Sequence, residues 1–295
     1  MRHAPPFNIL VAAPGGVANT AWLGGTARML AVGLERLGLP VRVAVNEFLR
    51  DGTNIVLAAH NLDAGLVGEL PSGTIVYNTE MVVPGSPFIR AMLPFVRAFE
   101  TWDYSAANRR RWAELGVGAR VRLVRPAYLP YYTAVDLDHP RDVDVLFYGL
   151  MSPRRERAIA SLREARLEVR ALTKVYGEAL DRWIERSRIV LNVHYADHAV
   201  LEFARLSTAL ANRRCFVTEA GAGDVDEIEP ALRAGVAAAP LPDLPALCRA
   251  LIDDADRREA IALAGYEAYR RTDFSRHLAE ALEMAHGSPV RAPAR

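Results

Sequence analysis

Four short runs gather polar and charged side chains at spacings suited to chemistry. The densest is Asn192-Val193-His194-Tyr195-Ala196-Asp197-His198-Ala199-Val200-Leu201-Glu202-Phe203-Ala204-Arg205. An apolar stretch over 189–193 reads as a strand that delivers His194 and Tyr195 to its carboxyl end. Glu202 and Arg205 follow, three apart on one face of the next helical pattern and near its start. A carboxylate there is placed to accept both hydroxyls of a ribose. The plainer reading is an ordinary helix with a Glu–Arg pair. The second run is Ser152-Pro153-Arg154-Arg155-Glu156-Arg157, just past a strand ending at Tyr148-Gly149. Arg154 and Arg155 at a helix N-terminus combine fixed charge with the helix dipole, which suits a diphosphate. A solvated basic turn competes with that reading, and the unknown register of the loop leaves the two arginines unranked.

The third run, Pro14-Gly15-Gly16, follows the first apolar strand. Gly15 and Gly16 would let a ligand approach backbone N–H groups at a helix start, unless the run is only a tight turn. The pattern is not G-x-G-x-x-G and no acidic residue closes a second strand, which disfavours a dinucleotide site. The fourth run, Thr218-Glu219-Ala220-Gly221-Ala222-Gly223-Asp224, places Glu219 among small residues after another strand. In the first half, His60-Asn61 and Tyr77-Asn78-Thr79-Glu80 each follow a strand, and His60 and Glu80 are the candidates for a general base. Trp102-Asp103-Tyr104-Ser105 precedes a helix, with Ser105 or Asp103 as its N-cap.

These runs need elements to position them. Apolar strands over 7–13, 41–45, 55–59, 74–77 and 121–124 alternate with helical patterns over 22–37, 87–100 and 106–115. The segment 126–140, with three prolines and Tyr131-Tyr132, reads as a linker. The pattern then restarts: strands over 143–148, 167–172, 189–193, 215–218 and 236–239, helices over 153–166, 177–187 and 198–212. Helices over 243–253, 256–270 and 274–285 and a tail from 287 close the chain. Strands alternating with helices of 10–15 residues imply βαβ units and parallel sheets. The expected fold class is α/β: two Rossmann-like doubly wound domains, over 1–135 and 136–272, facing each other across a ligand cleft. A helix over 273–286 crosses back to the first domain. In such sheets ligands bind outside the carboxyl ends of the strands, where all four runs lie.

Composition narrows the classes. The chain has 295 residues, enough for two domains, with 51% hydrophobic and 24% charged residues. A net charge of +1 argues against nucleic acid as a partner. No apolar run is long enough to span a membrane, and the N-terminus lacks a signal-peptide pattern, so the expected compartment is the cytoplasm. Cys215 and Cys248 lack metal-like spacing and read as reduced, buried thiols.

The second half resembles the C-terminal domain of group 1 glycosyltransferases of the GT-B fold. Many retaining members carry Glu-x7-Glu followed by a helix, a strand and a Gly-rich loop. Here the motif reads His-x7-Glu, from His194 to Glu202. As a set, Tyr77-Asn78-Thr79-Glu80, Trp102-Asp103-Tyr104-Ser105 with Asn108, Asp144-Val145-Leu146-Phe147-Tyr148-Gly149, and Leu191-Asn192-Val193-His194-Tyr195 with Leu201-Glu202 and Arg205 are similar to the spore-maturation type of glycosyltransferase-like proteins. The likeness covers roughly residues 75–270. It implies a nucleotide-sugar donor on the second half, with Glu202 on the ribose, Arg154 or Arg155 toward the diphosphate, and His194, Tyr195, Arg205 and Glu219 around them. His194 departs from the motif close to the donor sugar, which leaves the stereochemical outcome open. GT-B enzymes generally need no bound metal, so none is expected here, nor any other cofactor. The acceptor is not implied. A GT-B-like binding protein without catalysis, or another two-domain α/β nucleotide-dependent enzyme, is the alternative.

Overall fold

The computed structural model describes residues 6–14, 21–83, 85–197, 200–221 and 227–286. The chain divides into two compact units, Met1–Leu129 with Asp273–Arg295, and Pro130–Thr272.

The first unit is built on a six-stranded, all-parallel sheet: β1 (Phe7–Val11), β2 (Val41–Val45), β3 (Thr53–Leu57), β4 (Ile75–Asn78), β5 (Glu100–Asp103) and β6 (Val121–Leu123), in the order β2-β1-β3-β4-β5-β6. β1 and β3 are buried along their whole length, which explains the apolar runs 9–11 and 55–57 within them. Helices α1 (Gly24–Arg36), α2 (Pro87–Ala98) and α3 (Ala106–Glu114) connect them. Phe95, Met92 and Trp112 of α2 and α3 pack with Leu10, Val56 and Val76 of the sheet. The final helix, α9 (Phe274–His286), lies against α1 in this unit. A Cβ on Gly33 of α1 would stand 2.5 Å from Leu278 and 3.0 Å from Phe274, so only glycine lets the two helices close.

The second unit has a five-stranded parallel sheet: β7 (Val143–Tyr148), β8 (Val169–Leu172), β9 (Ser187–Asn192), β10 (Cys215–Glu219) and β11 (Val236–Ala239), in the order β11-β10-β9-β7-β8. Its helices are α4 (Pro153–Glu164), α5 (Glu178–Arg186), α6 (Phe203–Ala211), α7 (Leu244–Asp253) and α8 (Ala255–Arg270). Cys215 and Cys248 are buried free thiols of its core, with burial pushing both up to about 12.

Two expectations are corrected. The helix expected over 87–100 ends at Ala98, and β5 begins at Glu100. Four residues with polar ends are too few to show strand alternation in sequence. The helix expected over 198–212 begins only at Phe203; Val200–Glu202 are not helical. Glu202 is therefore the N-cap residue, and its carboxylate is bound by two arginines instead of capping its own helix.

In each sheet the connection reverses direction once, between β1 and β3 in the first and between β7 and β9 in the second. The carboxyl ends of those strand pairs are the switch points at which doubly wound sheets open a crevice.

Candidate functional site

At the β7/β9 switch point the second unit concentrates most of the expected donor residues. α4 starts with Ser152 as its N-cap, its hydroxyl accepting from the Arg155 N–H at 3.3 Å and donating to the Tyr195 carbonyl at 3.1 Å. One serine thus ties the start of α4 to the loop after β9.

The two arginines that sequence leaves unranked are separated by the structure. Arg155 is 3% exposed. Its Nε donates to the Val193 carbonyl at 2.9 Å, its Nη1 to the Leu150 carbonyl at 2.8 Å, and its Nη2 to the Glu202 carboxylate. Arg205 answers from α6: it donates to Asn192, to the Tyr148 carbonyl at 2.6 Å and to Glu202 Oε2 at 2.7 Å. Both guanidiniums lie 5.2 Å from the centre of the Phe147 ring. Arg155 and Arg205 therefore clasp Glu202 from two sides while binding the backbone at the ends of β7 and β9. Burial raises the Glu202 carboxyl, but the charges of Arg205 and Arg155 outweigh it and hold the group below its ordinary value. The Glu202 side chain keeps 38% of its surface exposed, so an ionised, immobilised carboxyl group sits in a half-buried side chain.

Arg154 points elsewhere. Its Nε donates to the Asp197 carboxylate at 2.8 Å, and its two terminal nitrogens form a bidentate pair with Glu219. Those hydrogen bonds to Glu219 hold its pKa above the ordinary guanidinium value. Glu219, the last residue of β10, is nearly buried and also accepts from the His194 N–H at 3.2 Å. The Asp197 side chain is 82% exposed, so the Nε edge of Arg154 is held only by a solvent-facing carboxylate. His194 is buried beside this pair, and Tyr195 is exposed with its ring 5.4 Å from the Arg155 guanidinium. Arg154, Arg155, His194, Tyr195, Glu202, Arg205 and Glu219 thus form one cluster. Gly15 and Gly16, His198 and the end of the fourth run, 222–224, lie outside the described residues.

In the first unit, His60 stands just past β3 and Glu80 just past β4. Ala58, the residue that turns the chain toward His60, is left-handed (φ 56°), a conformation that costs a non-glycine residue roughly 1–2 kcal/mol. His60 Nε2 and Glu80 Oε1 are 4.0 Å apart. The His60 side chain is 8% exposed and its ring meets Phe88 edge-on at 5.1 Å. Burial lowers His60 and raises Glu80, so each is pushed toward its neutral form. A neutral imidazole beside a carboxyl group is suited to accepting a proton.

A feature that sequence leaves scattered lies next to this pair. Asn78, Asp103 and Asn108, all fully buried, join Ser105 and Trp112 in one hydrogen-bond network at the ends of β4 and β5. The residues occur in the runs already singled out, but their convergence depends on β5 pairing with β4, which opposes Asn78 and Asp103 in register.

Among the described residues no group of three or more His, Cys, Asp or Glu side chains is placed to hold a metal ion, and no helix is long and apolar enough to cross a membrane.

No family model matches the chain. A 68-residue stretch is 38% identical to uncharacterized protein L138 of Acanthamoeba polyphaga mimivirus, covering 22% of this chain; the chain spans only 8% of that relative's length. Solved structures match far more of it. Anabaena HepE in complex with UDP-glucose is similar over 94% of this chain and 99% of its own, with a TM-score of 0.60 and 14% identity. AviGT4, a glycosyltransferase involved in avilamycin A biosynthesis, is similar over 96% and 99%, with a TM-score of 0.59 and 14% identity. T4 phage BGT in complex with UDP and Mn²⁺ is similar over 95% and 99%, with a TM-score of 0.61 and 8% identity. The chain, with its two parallel-sheet α/β units, has the fold of the GT-B glycosyltransferases.

Proposed function

We propose that this protein is a glycosyltransferase that moves a sugar, of the hexosyl type, from a nucleotide-sugar donor to an acceptor. The observation that carries the reading is the half-buried Glu202 carboxylate, clasped by Arg155 and Arg205 at the β7/β9 switch point with Arg154 beside it. An ionised carboxylate held in one orientation is what a ribose diol needs as acceptor. The similarity to proteins solved with UDP and UDP-glucose supports a uridine nucleotide as the first donor to try.

The geometry of the described residues supports these roles. Glu202 accepts from the ribose hydroxyls, with Arg155 and Arg205 as its positioning residues. Arg154 exchanges the exposed Asp197 for the donor diphosphate and stabilises the charge that builds on it as the glycosidic bond breaks. Glu219 holds the other edge of Arg154, so that the guanidinium stays aimed while its Nε partner changes. His194 and Tyr195 line the sugar side, and Gly15 and Gly16 contribute to donor binding. In an inverting reaction His60, with Glu80, takes the proton of the acceptor hydroxyl. Arg154 supplies cationic stabilisation of the leaving group without a metal; the Mn²⁺ in the T4 phage neighbour makes transfer in the presence of EDTA a direct test of that point. Membership of the spore-maturation type is part of the same proposal and rests on the grouped motifs around Glu80, Asp103, Gly149 and His194.

The test is a thermal-shift panel of UDP, GDP, dTDP, CMP and their sugars on wild type and Glu202→Ala. A ligand that binds only the folded state raises the melting temperature by mass action. We expect a shift with one nucleotide that Glu202→Ala abolishes. No shift with any nucleotide, or an equal shift in Glu202→Ala, overturns the donor assignment.

A further inference from the structure

The network beside Glu80 carries an inference of its own. Asn78 Oδ1 accepts from the Glu80 N–H at 3.0 Å, and Asn78 Nδ2 donates to the Glu80 carbonyl at 2.8 Å. From α3, Asn108 Nδ2 donates to the same carbonyl at 3.0 Å, and Asn108 Oδ1 accepts from the Val82 N–H at 2.9 Å. The backbone of Glu80 is therefore held at both its N–H and its carbonyl, and the chain two residues on is held as well. Each asparagine also donates to Asp103: Asn78 at 2.6 Å to Oδ2 and Asn108 at 3.1 Å to Oδ1. The Ser105 N–H at 2.9 Å and the Trp112 indole at 2.9 Å complete four donors on one carboxylate.

A carboxylate only accepts, so both amides must turn their NH2 groups toward Asp103. That choice leaves their oxygens facing the Glu80 and Val82 N–H groups. Burying three polar side chains completely carries a desolvation cost that folding alone could avoid with apolar residues of similar shape. The residue they jointly hold is a carboxylic acid whose oxygen faces an imidazole nitrogen at 4.0 Å.

We propose that Asn78 and Asn108, oriented by Asp103, are positioning residues that fix the Glu80 backbone and so hold its carboxylate against His60. The proposal rests on the reading of His60 and Glu80 as a working pair. Its experiment reads that pair without substrate: an NMR pH titration of the His60 imidazole, assigned through His60→Gln. Glu80→Gln removes the nearby negative charge, and the His60 midpoint should fall by roughly one pH unit. Asn78→Ala and Asn108→Ala change no charge, yet each should reproduce most of that fall because Glu80 is released. Trp112→Phe is the control: like each of those variants it takes one donor from Asp103, but it leaves the bonds on Glu80 intact, so the midpoint should stay at the wild-type value. Asn108→Ser supplies a milder variant if the alanine variants do not fold, and should show a smaller fall in the same direction.

A wild-type midpoint in the asparagine variants, with a shift in Glu80→Gln, overturns the positioning role alone. An equal fall in Trp112→Phe also overturns it, since general loosening would then account for the effect. No shift in Glu80→Gln overturns the His60–Glu80 pair and the proposal with it. None of these results depends on the donor assignment, which the nucleotide panel tests separately.

Discussion

Gly149→Ala should be among the most damaging single-methyl additions in the second unit. Gly149 directly follows β7 with φ +146°, a conformation essentially confined to glycine, and alanine there costs about 1–3 kcal/mol in backbone strain. The added Cβ would also stand 2.9 Å from Arg205 Nη2 and 3.3 Å from Arg155 Nη1. Neither nitrogen is a loose side-chain end. Arg205 Nη2 is bound to the Tyr148 carbonyl at 2.6 Å and to Glu202 at 2.7 Å, and Arg155 Nη1 to the Leu150 carbonyl at 2.8 Å. A displacement large enough to fit the methyl breaks at least one of these charged hydrogen bonds, each worth about 1.5–3 kcal/mol. The sum is about 2.5–6 kcal/mol. Gly116→Ala is the comparison: Gly116 is also at positive φ (+76°), but nothing lies within 4 Å of its would-be Cβ, so only backbone strain of about 1–2 kcal/mol applies. Urea unfolding followed by circular dichroism measures both, and UDP titration of the folded Gly149→Ala protein should show weakened binding as Glu202 loses its clasp. If the two variants lose equal stability within about 0.5 kcal/mol, the arginine clasp is not what excludes a side chain at 149.

Three further outcomes follow from the same geometry. Arg155→Met should cost about 3–5 kcal/mol in urea unfolding, because Glu202 loses a buried partner and two strand-end carbonyls lose their donor, whereas Arg154→Gln should cost no more than about 2 kcal/mol yet weaken UDP binding at least about tenfold. Burial raises the Asp103 carboxyl from 3.8 to about 6, so the folded state holds this proton more tightly than the unfolded one; the stability tied to it is present below pH 4 and is lost as pH rises through 6, a change of roughly 3 kcal/mol. Asp103→Asn should lack that change, so its deficit relative to wild type in urea unfolding should be largest at pH 4 and shrink toward pH 7; a deficit independent of pH would refute the burial argument. Ser105→Ala removes the side-chain cap of α3 and should lower stability by about 1 kcal/mol, measured by thermal unfolding.

The parallel α/β architecture is legible because the buried middles of β1, β3, β7, β9 and β10 read as short apolar runs, 9–11, 55–57, 145–147, 189–191 and 215–217, with polar residues beside them. β5 is not legible, since Glu100–Asp103 offers only two central residues between polar ends, and the pairing that makes it a strand lies with β4 and β6. The same limit governs the site. Arg154 and Arg155 are neighbours of one type at one helix start, and only the direction each side chain takes separates an arginine spent on strand-end carbonyls from one held at its outer edge by an exposed carboxylate. Nor does sequence show that Glu202 lies before its helix, because Leu201-Glu202-Phe203 continues the apolar period while the two arginines draw the carboxylate out of it.

Strand order supplies what motif spacing lacks. His60 and Glu80 lie 20 positions apart, and Arg155 and Glu202 lie 47 apart, distances at which a pattern of residue types carries no geometry. Each pair becomes adjacent because parallel crossovers bring every strand's carboxyl end to one edge of its sheet, and the reversal between β1 and β3, or between β7 and β9, opens room there. Both edges then meet the same physical problem, holding a partly exposed acid in one place, and they meet it differently. At the second switch point two cations clasp Glu202, which keeps it ionised as a fixed hydrogen-bond acceptor. Near the first, neutral amides hold only the backbone of Glu80, and burial leaves its carboxyl raised. A carboxylate fixed by charge is suited to binding, and one fixed through its backbone with a raised pKa is suited to sharing a proton with His60. The division of labour proposed for the two units therefore rests on how each acid is held.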